Sequence, residues 1–442
     1  MGQIIGKLCC YENQLNMENS PEKATRITRD RHNLIATINL RQSNQFSEMT
    51  HILADQSQQI PSSSANLKNI KNQQLWRQSD ILAPCSPLTS TVERMSIDHK
   101  ISENDFSFHD LIGIGGFSRV YLAHIKAETK REEIRPFAIK TISKLQFKDQ
   151  KWDQFMTELK ILSIVSNRTC PFLTKLYCSF QSDYNLFFCL EYVPGGSLRG
   201  YLEAACIFDM PTAQFIAAEV LLGLTFLHEK LDIIHRDLKP ENVLIDADGH
   251  CKLTDFGLSK IGKMEAFSFC GTFNYIAPEL INKHGYNKMV DYWMLGCLVY
   301  ELLVGKSPFE HKNKKTMFDM INAGCYKANK VADPIARDLI SKLLITNPKN
   351  RLGSQGVKEV TRHPFFKDID FKKVIRREID SPIKPYVTIR KPDVSIMNNP
   401  NEHPQISDMP DSQGAPQMHL EKFSWVKLRK LPSDIDTDFL DG

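Results

Sequence analysis

The sequence predicts an α+β chain folded as two lobes with a cleft between them. Residues 106–190 alternate strand-like apolar runs with one helical pattern, and residues 198–366 read mainly as helices. A short hairpin interrupts the helical half just after a loop dense in charged residues. A β-rich segment followed by an α-rich one packs as separate layers, and the groove between such layers is where ligands bind.

Residues 11–105 are rich in Asn, Gln, Ser and charge, poor in aromatics, and show no sustained period of 2 or 3.6. They read as a disordered polar linker, because they bury too little apolar surface to offset ordering entropy. Asp110-Leu111-Ile112 and Val120-Tyr121-Leu122-Ala123 then read as strands joined by Gly113-Ile114-Gly115-Gly116-Phe117-Ser118-Arg119. Glycines let backbone amides approach phosphate oxygens that a Cβ would block. This loop joins two strands and does not open a helix, which argues against a dinucleotide-binding fingerprint and a Walker-type loop. Phe137-Ala138-Ile139-Lys140 sets a lysine on an apolar strand, where the ammonium costs desolvation unless it is paired. Glu158, in the helical stretch Trp152–Val165, is the candidate partner. Pro211–His228 and Met289–Val304 carry the clearest helical patterns of the second half, and residues 367–430 are irregular and Pro-rich.

The hairpin carries the chemistry. His235-Arg236-Asp237-Leu238-Lys239-Pro240-Glu241-Asn242 leads into the apolar run Val243-Leu244-Ile245. Asp248-Gly249 supplies a tight turn, and Cys251-Lys252-Leu253-Thr254 returns to Asp255-Phe256-Gly257. The open end of an antiparallel hairpin therefore sets Asn242 beside Asp255. An amide oxygen and a carboxylate so placed suit a hard cation such as Mg²⁺ carrying phosphates. Asp237, on the loop leading in, is placed to accept a proton from an incoming hydroxyl. This is the layout of a phosphoryl-transfer site. His235 reads as packing behind the metal loop rather than as a ligand.

Composition narrows the alternatives. A formal net charge of +4 is too small to argue for nucleic acid. The 11 cysteines form no Cys-x-x-Cys pair and no secretory signal is evident, which favours reduced thiols over a disulfide scaffold or zinc site. No uninterrupted apolar stretch approaches the length of a membrane span.

These pieces stand in the order of the eukaryotic protein kinases, and residues 106–366 resemble that family's catalytic domain. The resemblance implies the bilobal protein-kinase fold and ATP- and Mg²⁺-dependent phosphorylation of proteins. It makes Gly113, Gly115 and Val120 the glycine-rich loop, Lys140 the phosphate-contacting lysine and Glu158 its helix partner. Ala138, Glu191, Val193 and Leu244 join the ATP site, with Leu190 as gatekeeper. Asp237 is the catalytic base, Lys239 lies near the transferred phosphate, and Asn242 and Asp255 hold Mg²⁺. Glu279 of Ala277-Pro278-Glu279 pairs with Arg351, and Asp291 of Asp291-Tyr292-Trp293 steadies the catalytic loop. Ser118 stands where the family has its third loop glycine.

Ser268-Phe269-Cys270-Gly271-Thr272, Asn347-Pro348-Lys349-Asn350-Arg351-Leu352-Gly353 and Phe371–Ile379 resemble the AGC group, relatives of cyclic-AMP-dependent kinase and protein kinase B. Residues 367–442 then resemble that group's C-terminal tail, with Leu420-Glu421-Lys422-Phe423-Ser424-Trp425 as its hydrophobic motif. Lys239 and Thr272 match the serine/threonine-specific pattern. The group's properties imply phosphorylation at Ser268 and Ser424, an upstream activating kinase, and arginine-directed protein substrates contacted by Glu241 and Glu301. Ser197 replaces a further glutamate, and the tail's adenine-covering Phe-Asp element is not evident between residues 386 and 419.

Residues 1–10, Met1-Gly2-Gln3-Ile4-Ile5-Gly6-Lys7-Leu8-Cys9-Cys10, read as an acylated anchor. Gly2 resembles a myristoylation acceptor, with Gly6 as a small residue at the usual Ser/Thr position, and Cys9 and Cys10 are candidates for palmitoylation. Two acyl chains anchor stably where one binds marginally, so the expected place is the cytosolic face of a membrane.

Overall fold

The computed structural model describes residues 101–116, 118–126, 135–144, 152–261, 273–282 and 285–387. The N-terminal lobe is an antiparallel sheet of β1 (Phe106–Ile114), β2 (Ser118–Ile125), β3 (Phe137–Ser143), β4 (Leu176–Gln181) and β5 (Asn185–Glu191). The strands lie in the order β1-β2-β3-β5-β4. Helix α1 (Trp152–Ser166) connects β3 to β4 and packs on β4.

The period of 2 along β5 shows how the sheet divides two cores. Phe187 and Cys189 join an outer cluster with Phe106, Phe137, Tyr177 and Phe180. Leu186 and Phe188 face the other way, into the core that α1 shares through Phe155, Leu159 and Leu162. The outer cluster is aromatic: Phe180 stacks on Phe187 at 4.7 Å and on Phe106 at 5.3 Å.

Residues 101–105, read as linker, belong to the folded part of the chain. Ile101 is buried in the outer cluster, and Ser102 caps a turn at Glu103–Asp105 through a capping box with Asp105. Lys126 N–H donates to Asp105 O, tying this turn to the end of β2. The linker read over 11–105 is therefore corrected at 101–105. A single apolar residue in a polar run carries no periodic signal.

The C-terminal lobe contains α2 (Leu198–Ala205), α3 (Met210–Thr225), α4 (Pro278–Ile281), α5 (Met289–Val304), α6 (Lys314–Ala323), α7 (Pro334–Leu343), α8 (Val357–Thr361) and α9 (Phe371–Ile375). Helix α3 starts where Asp209 accepts from Thr212 N–H, with Pro211 in the first turn. It is buried without a break from Phe215 to Thr225, and α5 from Met289 to Leu302. Helices apolar all round must be enclosed, and α3 and α5 pack on each other at the centre of the lobe. The helical run Met210–Lys230 would satisfy the length and apolarity of a membrane span, but most of it is buried inside this lobe.

The pattern predicted a helix as far as His228. The α-helix stops at Thr225 and gives way to a single π turn, Phe226–Lys230. Such wide turns concentrate at functional sites, and this one carries His228, whose Nε2 lies 2.7 Å from Asp291 Oδ2.

Among the described residues the lobe also has four short strands: β6 (Ile233–Ile234), β7 (Val243–Ile245), β8 (Cys251–Leu253) and β9 (Lys260–Ile261). β7 pairs with β8 and β6 with β9, both antiparallel. Residues 367–387 are not wholly irregular. Within them, α9 buries Val374 and Ile375, and Ser381 Oγ donates to Gly249 O at 2.7 Å across the β7–β8 turn.

Candidate active site

The β7–β8 register, Val243↔Leu253, continues one step outward through Thr254 N–H donating to Asn242 O at 3.0 Å. The hairpin mouth thus carries Asn242 on one side and Asp255 on the other, as its length and turn predicted. Asn242 Nδ2 donates to Asp237 O and to Asp237 Oδ2, each at 2.8 Å. With the amide nitrogen so used, Oδ1 is its acceptor, and it takes no donor among the described residues. Lys239 Nζ also donates to Asp237 Oδ2 at 2.8 Å. Asp237 is held from one oxygen, and Oδ1 accepts from none of the described residues.

Asp255 adopts φ 62° and Arg236 φ 67°, in the left-handed region that disfavours side chains. Surrounding contacts must hold such strain in place. Asp291, fully buried on α5, does so for the catalytic loop. Its Oδ2 accepts from His235 N–H and its Oδ1 from Arg236 N–H, both at 2.8 Å. Burial alone would raise the Asp291 carboxyl, but the hydrogen bond and charge of His228, the charge of His235 and the Arg236 N–H together hold it below the usual range. His235 packs edge-on to Phe256 with centroids 5.5 Å apart, behind Asp255-Phe256-Gly257.

Lys140 crosses the cleft from β3. Its Nζ lies 2.6 Å from Glu158 Oε1 on α1 and 3.1 Å from Asp255 Oδ1. Burial works against the ammonium, yet the charges of Asp255 and Glu158 hold Lys140 above its ordinary value. Beside it, the charge of Lys140 leads in keeping the Asp255 carboxyl below the usual range. Burial pushes Glu158 up, and Asp255 adds to that. The three charges form one unit joining the sheet, α1 and the hairpin mouth.

A cavity of about 800 Å³ opens between these elements. Gly113, Gly115, Val120, Ala138, Lys140, Glu158, Leu190, Glu191, Val193, Glu241, Asn242, Leu244 and Asp255 line it, which brings most of the expected site together. Gly115 N–H donates to Ser118 O at 2.8 Å, closing the glycine turn. Ser118 Oγ lies 2.6 Å from where a Cβ on Gly115 would stand, so the serine hydroxyl occupies space that only glycine leaves open. The donor set fits the group the chemistry needs: a carboxylate, an open amide oxygen, a lysine and a backbone cradle.

Other residues hold the site in ways the sequence reading missed. Glu219, fully buried on α3, accepts from Cys251 N–H at 2.7 Å and lies 2.6 Å from His250 Nδ1, fixing β8 to the central helix. A lone carboxylate inside the apolar run Phe215–Thr225 was the available signal, since a buried charge needs a partner. Asp246 pairs with Arg377 at 2.7 Å, which joins the hairpin to the segment after α9. Tyr386 also lines the cleft, so the tail contributes an aromatic there although its Phe-Asp element is not evident.

Glu279 and Arg351 form the expected pair, buried and bidentate. Glu241 and Glu301, expected to meet substrate arginines, both pair with Arg199 of α2. Gly2, Cys9, Cys10, Ser268, Ser424 and the motif at 420–425 lie outside the described residues.

The sequence pattern of the protein kinase domain matches residues 106–366, and the chain belongs to the protein kinase family. Its relatives are serine/threonine kinases of the AGC group. Protein kinase C eta type of Mus musculus is 40% identical over 66% of this chain and 42% of its own length. Ribosomal protein S6 kinase 2 alpha of Gallus gallus is 33% identical over 86% of this chain and 52% of its own length. A Dictyostelium discoideum protein named as a probable serine/threonine-protein kinase is 36% identical over 76% of this chain and 73% of its own length. The chain thus spans about half the length of the first two of these relatives.

Proposed function

We propose that this chain transfers the γ-phosphoryl group of ATP, with Mg²⁺, to serine or threonine hydroxyls of proteins that carry arginine ahead of the target. The observation that supports it best is the convergence of Asn242, Asp255 and Lys140 on one cleft beside a glycine turn, with Asp237 bound directly to Asn242. Lys140 is held by Glu158 for the phosphates of the nucleotide. Asn242 Oδ1 and the Asp255 carboxylate would hold the metal, which neutralises phosphate charge when bound. Asp237 orients the incoming hydroxyl and accepts its proton through the oxygen that no donor among the described residues occupies. Lys239 stands beside it to meet charge on the transferred group. Transfer of radiolabelled phosphate from ATP to a basic peptide tests the reading. The wild-type chain labels the peptide and Asp237→Asn does not; equal labelling by both removes it.

Activation follows from Arg236. Its guanidinium is buried, donates to Leu258 O and Tyr286 Oη, and has no carboxylate partner among the described residues. A phosphate on Ser268 would supply the missing counter-charge. Ser268→Ala is then expected to lose the activity that treatment with an upstream kinase gains. Ser424 is the second site of this kind. Acylation at Gly2, with Cys9 and Cys10, would place the kinase at the cytosolic face of a membrane. Labelling with a myristate analogue should be lost in Gly2→Ala.

A further inference from the structure

The pair proposed to read arginine already holds one. Arg199 Nε lies 2.8 Å from Glu241 Oε1, and its NH1 lies 2.7 Å from Glu301 Oε1. The other oxygen of Glu301 accepts from Tyr275 Oη. Glu301 is nearly buried on α5, so each of its oxygens faces a donor of the chain itself.

Arg199 reaches this position at a cost. Ser197 caps α2, which puts Arg199 in the helix's first turn. A cation there opposes the helix dipole, even though arginine is otherwise a good helix former. The two carboxylates offset that penalty, and they come from chain segments far from α2, the catalytic loop and α5. A guanidinium held by two carboxylates is the same charge-assisted recognition that an arginine of a bound peptide would use.

We propose that Arg199 is a resident occupant of the arginine subsite and sets substrate specificity by competing with the substrate's arginine for Glu241 and Glu301. With Arg199 seated, an incoming arginine must displace it to gain the pair. The wild-type enzyme then still prefers arginine over an uncharged residue at that position, but by less than an open pair would allow. Without Arg199 the pair is open and arginine selectivity deepens. This rests on the reading of Glu241 and Glu301 as the arginine subsite.

The test compares kcat/KM for two peptides of the same sequence, one with arginine and one with alanine ahead of the target serine. Wild-type full-length chain, Arg199→Ala and Arg199→Gln are measured at one ionic strength. Taking the ratio within each variant cancels any loss of folded or active enzyme. The ratio is expected to rise about tenfold in both variants, mainly through KM of the arginine peptide. A merely structural latch between α2 and α5 would change both peptides alike and leave the ratio fixed. A high wild-type ratio that neither variant alters overturns the competition but keeps the arginine subsite. A ratio near one in all three proteins overturns the subsite reading together with the proposal, while peptide labelling still reports the kinase activity. Should Arg199→Ala fail to fold, Arg199→Gln, which keeps a polar head in the same space, decides by the same ratio.

Discussion

Replacing Arg351 by methionine removes a guanidinium whose every N–H is engaged. Nε donates to Ile345 O at 2.9 Å, NH1 to Glu279 Oε1 at 2.7 Å and Met289 O at 2.6 Å, and NH2 to Glu279 Oε2 at 2.9 Å and Thr346 O at 3.3 Å. Five donors meet five acceptors, and the plane lies over Trp293 with 5.2 Å to the ring centroid. The substitution leaves the Glu279 carboxylate almost wholly buried without a cation, and three carbonyls without this donor. Breaking such a pair from one side costs about 3–5 kcal/mol, because the orphaned charge keeps its desolvation penalty. In a domain of this size that corresponds to a fall in Tm of roughly 6–10 °C. Thermal melting followed by circular dichroism reads it. The decisive comparison is Glu279→Leu with Arg351→Met in one chain, which removes the orphaned carboxylate and should melt above Arg351→Met alone by a few degrees. The reasoning is refuted if Arg351→Met melts within a degree or two of wild type, or if the double variant is as unstable as the two single losses summed.

Other perturbations bear on separate parts of the structure. Glu158→Gln leaves Lys140 paired to Asp255 alone, and kcat/KM for ATP should fall by about 10- to 100-fold; unchanged kinetics would show that the pair does not position the lysine. Burial would raise the Asp246 carboxyl, but Arg377, then Lys252, draw it below the usual range. A depressed carboxylate adds stability above its unfolded value near 4 and loses it as pH falls through the folded one. The Tm gap between wild type and Asp246→Asn should therefore be constant from pH 8 to 5 and contract below about pH 4, and a gap that widens there contradicts the pairing. Gly249 has φ +86°, and a Cβ there would stand 2.6 Å from Lys384 N. Gly249→Ala should cost about 1–3 kcal/mol in urea unfolding, and a neutral result would mean that the 381–384 segment is not docked on the turn.

The parts of the site legible in the sequence are those made by local spacing. Asp248-Gly249 between two apolar runs predicts the hairpin, and the hairpin predicts that Asn242 and Asp255 share its mouth. Paired positions along a strand likewise separate Leu186 and Phe188 from Phe187 and Cys189. Long-range partners carry no such signature. Arg199 meets Glu241 and Glu301 only because α2, the catalytic loop and α5 converge, and nothing in Leu198-Arg199-Gly200 encodes that meeting. The π turn after Thr225 is hidden for another reason. Its apolar residues continue the helical pattern unbroken, and only the demand of Asp291 for His228 distinguishes the wider turn.

The buried carboxylates explain how a loop with two strained residues stays in one conformation. Asp291 binds the backbone of His235 and Arg236, and Glu219 binds the backbone of Cys251, so both ends of the catalytic segment are tied to central helices by charged acceptors. Hydrogen bonds to a charged acceptor are stronger than neutral ones, and in a dry interior they fix direction as well as distance. Arg236 is the exception in this frame, a buried cation with neutral partners only among the described residues. The catalytic loop is thus held from behind by charge that the chain supplies itself, and Arg236 is the group that the proposed phosphate on Ser268 would meet.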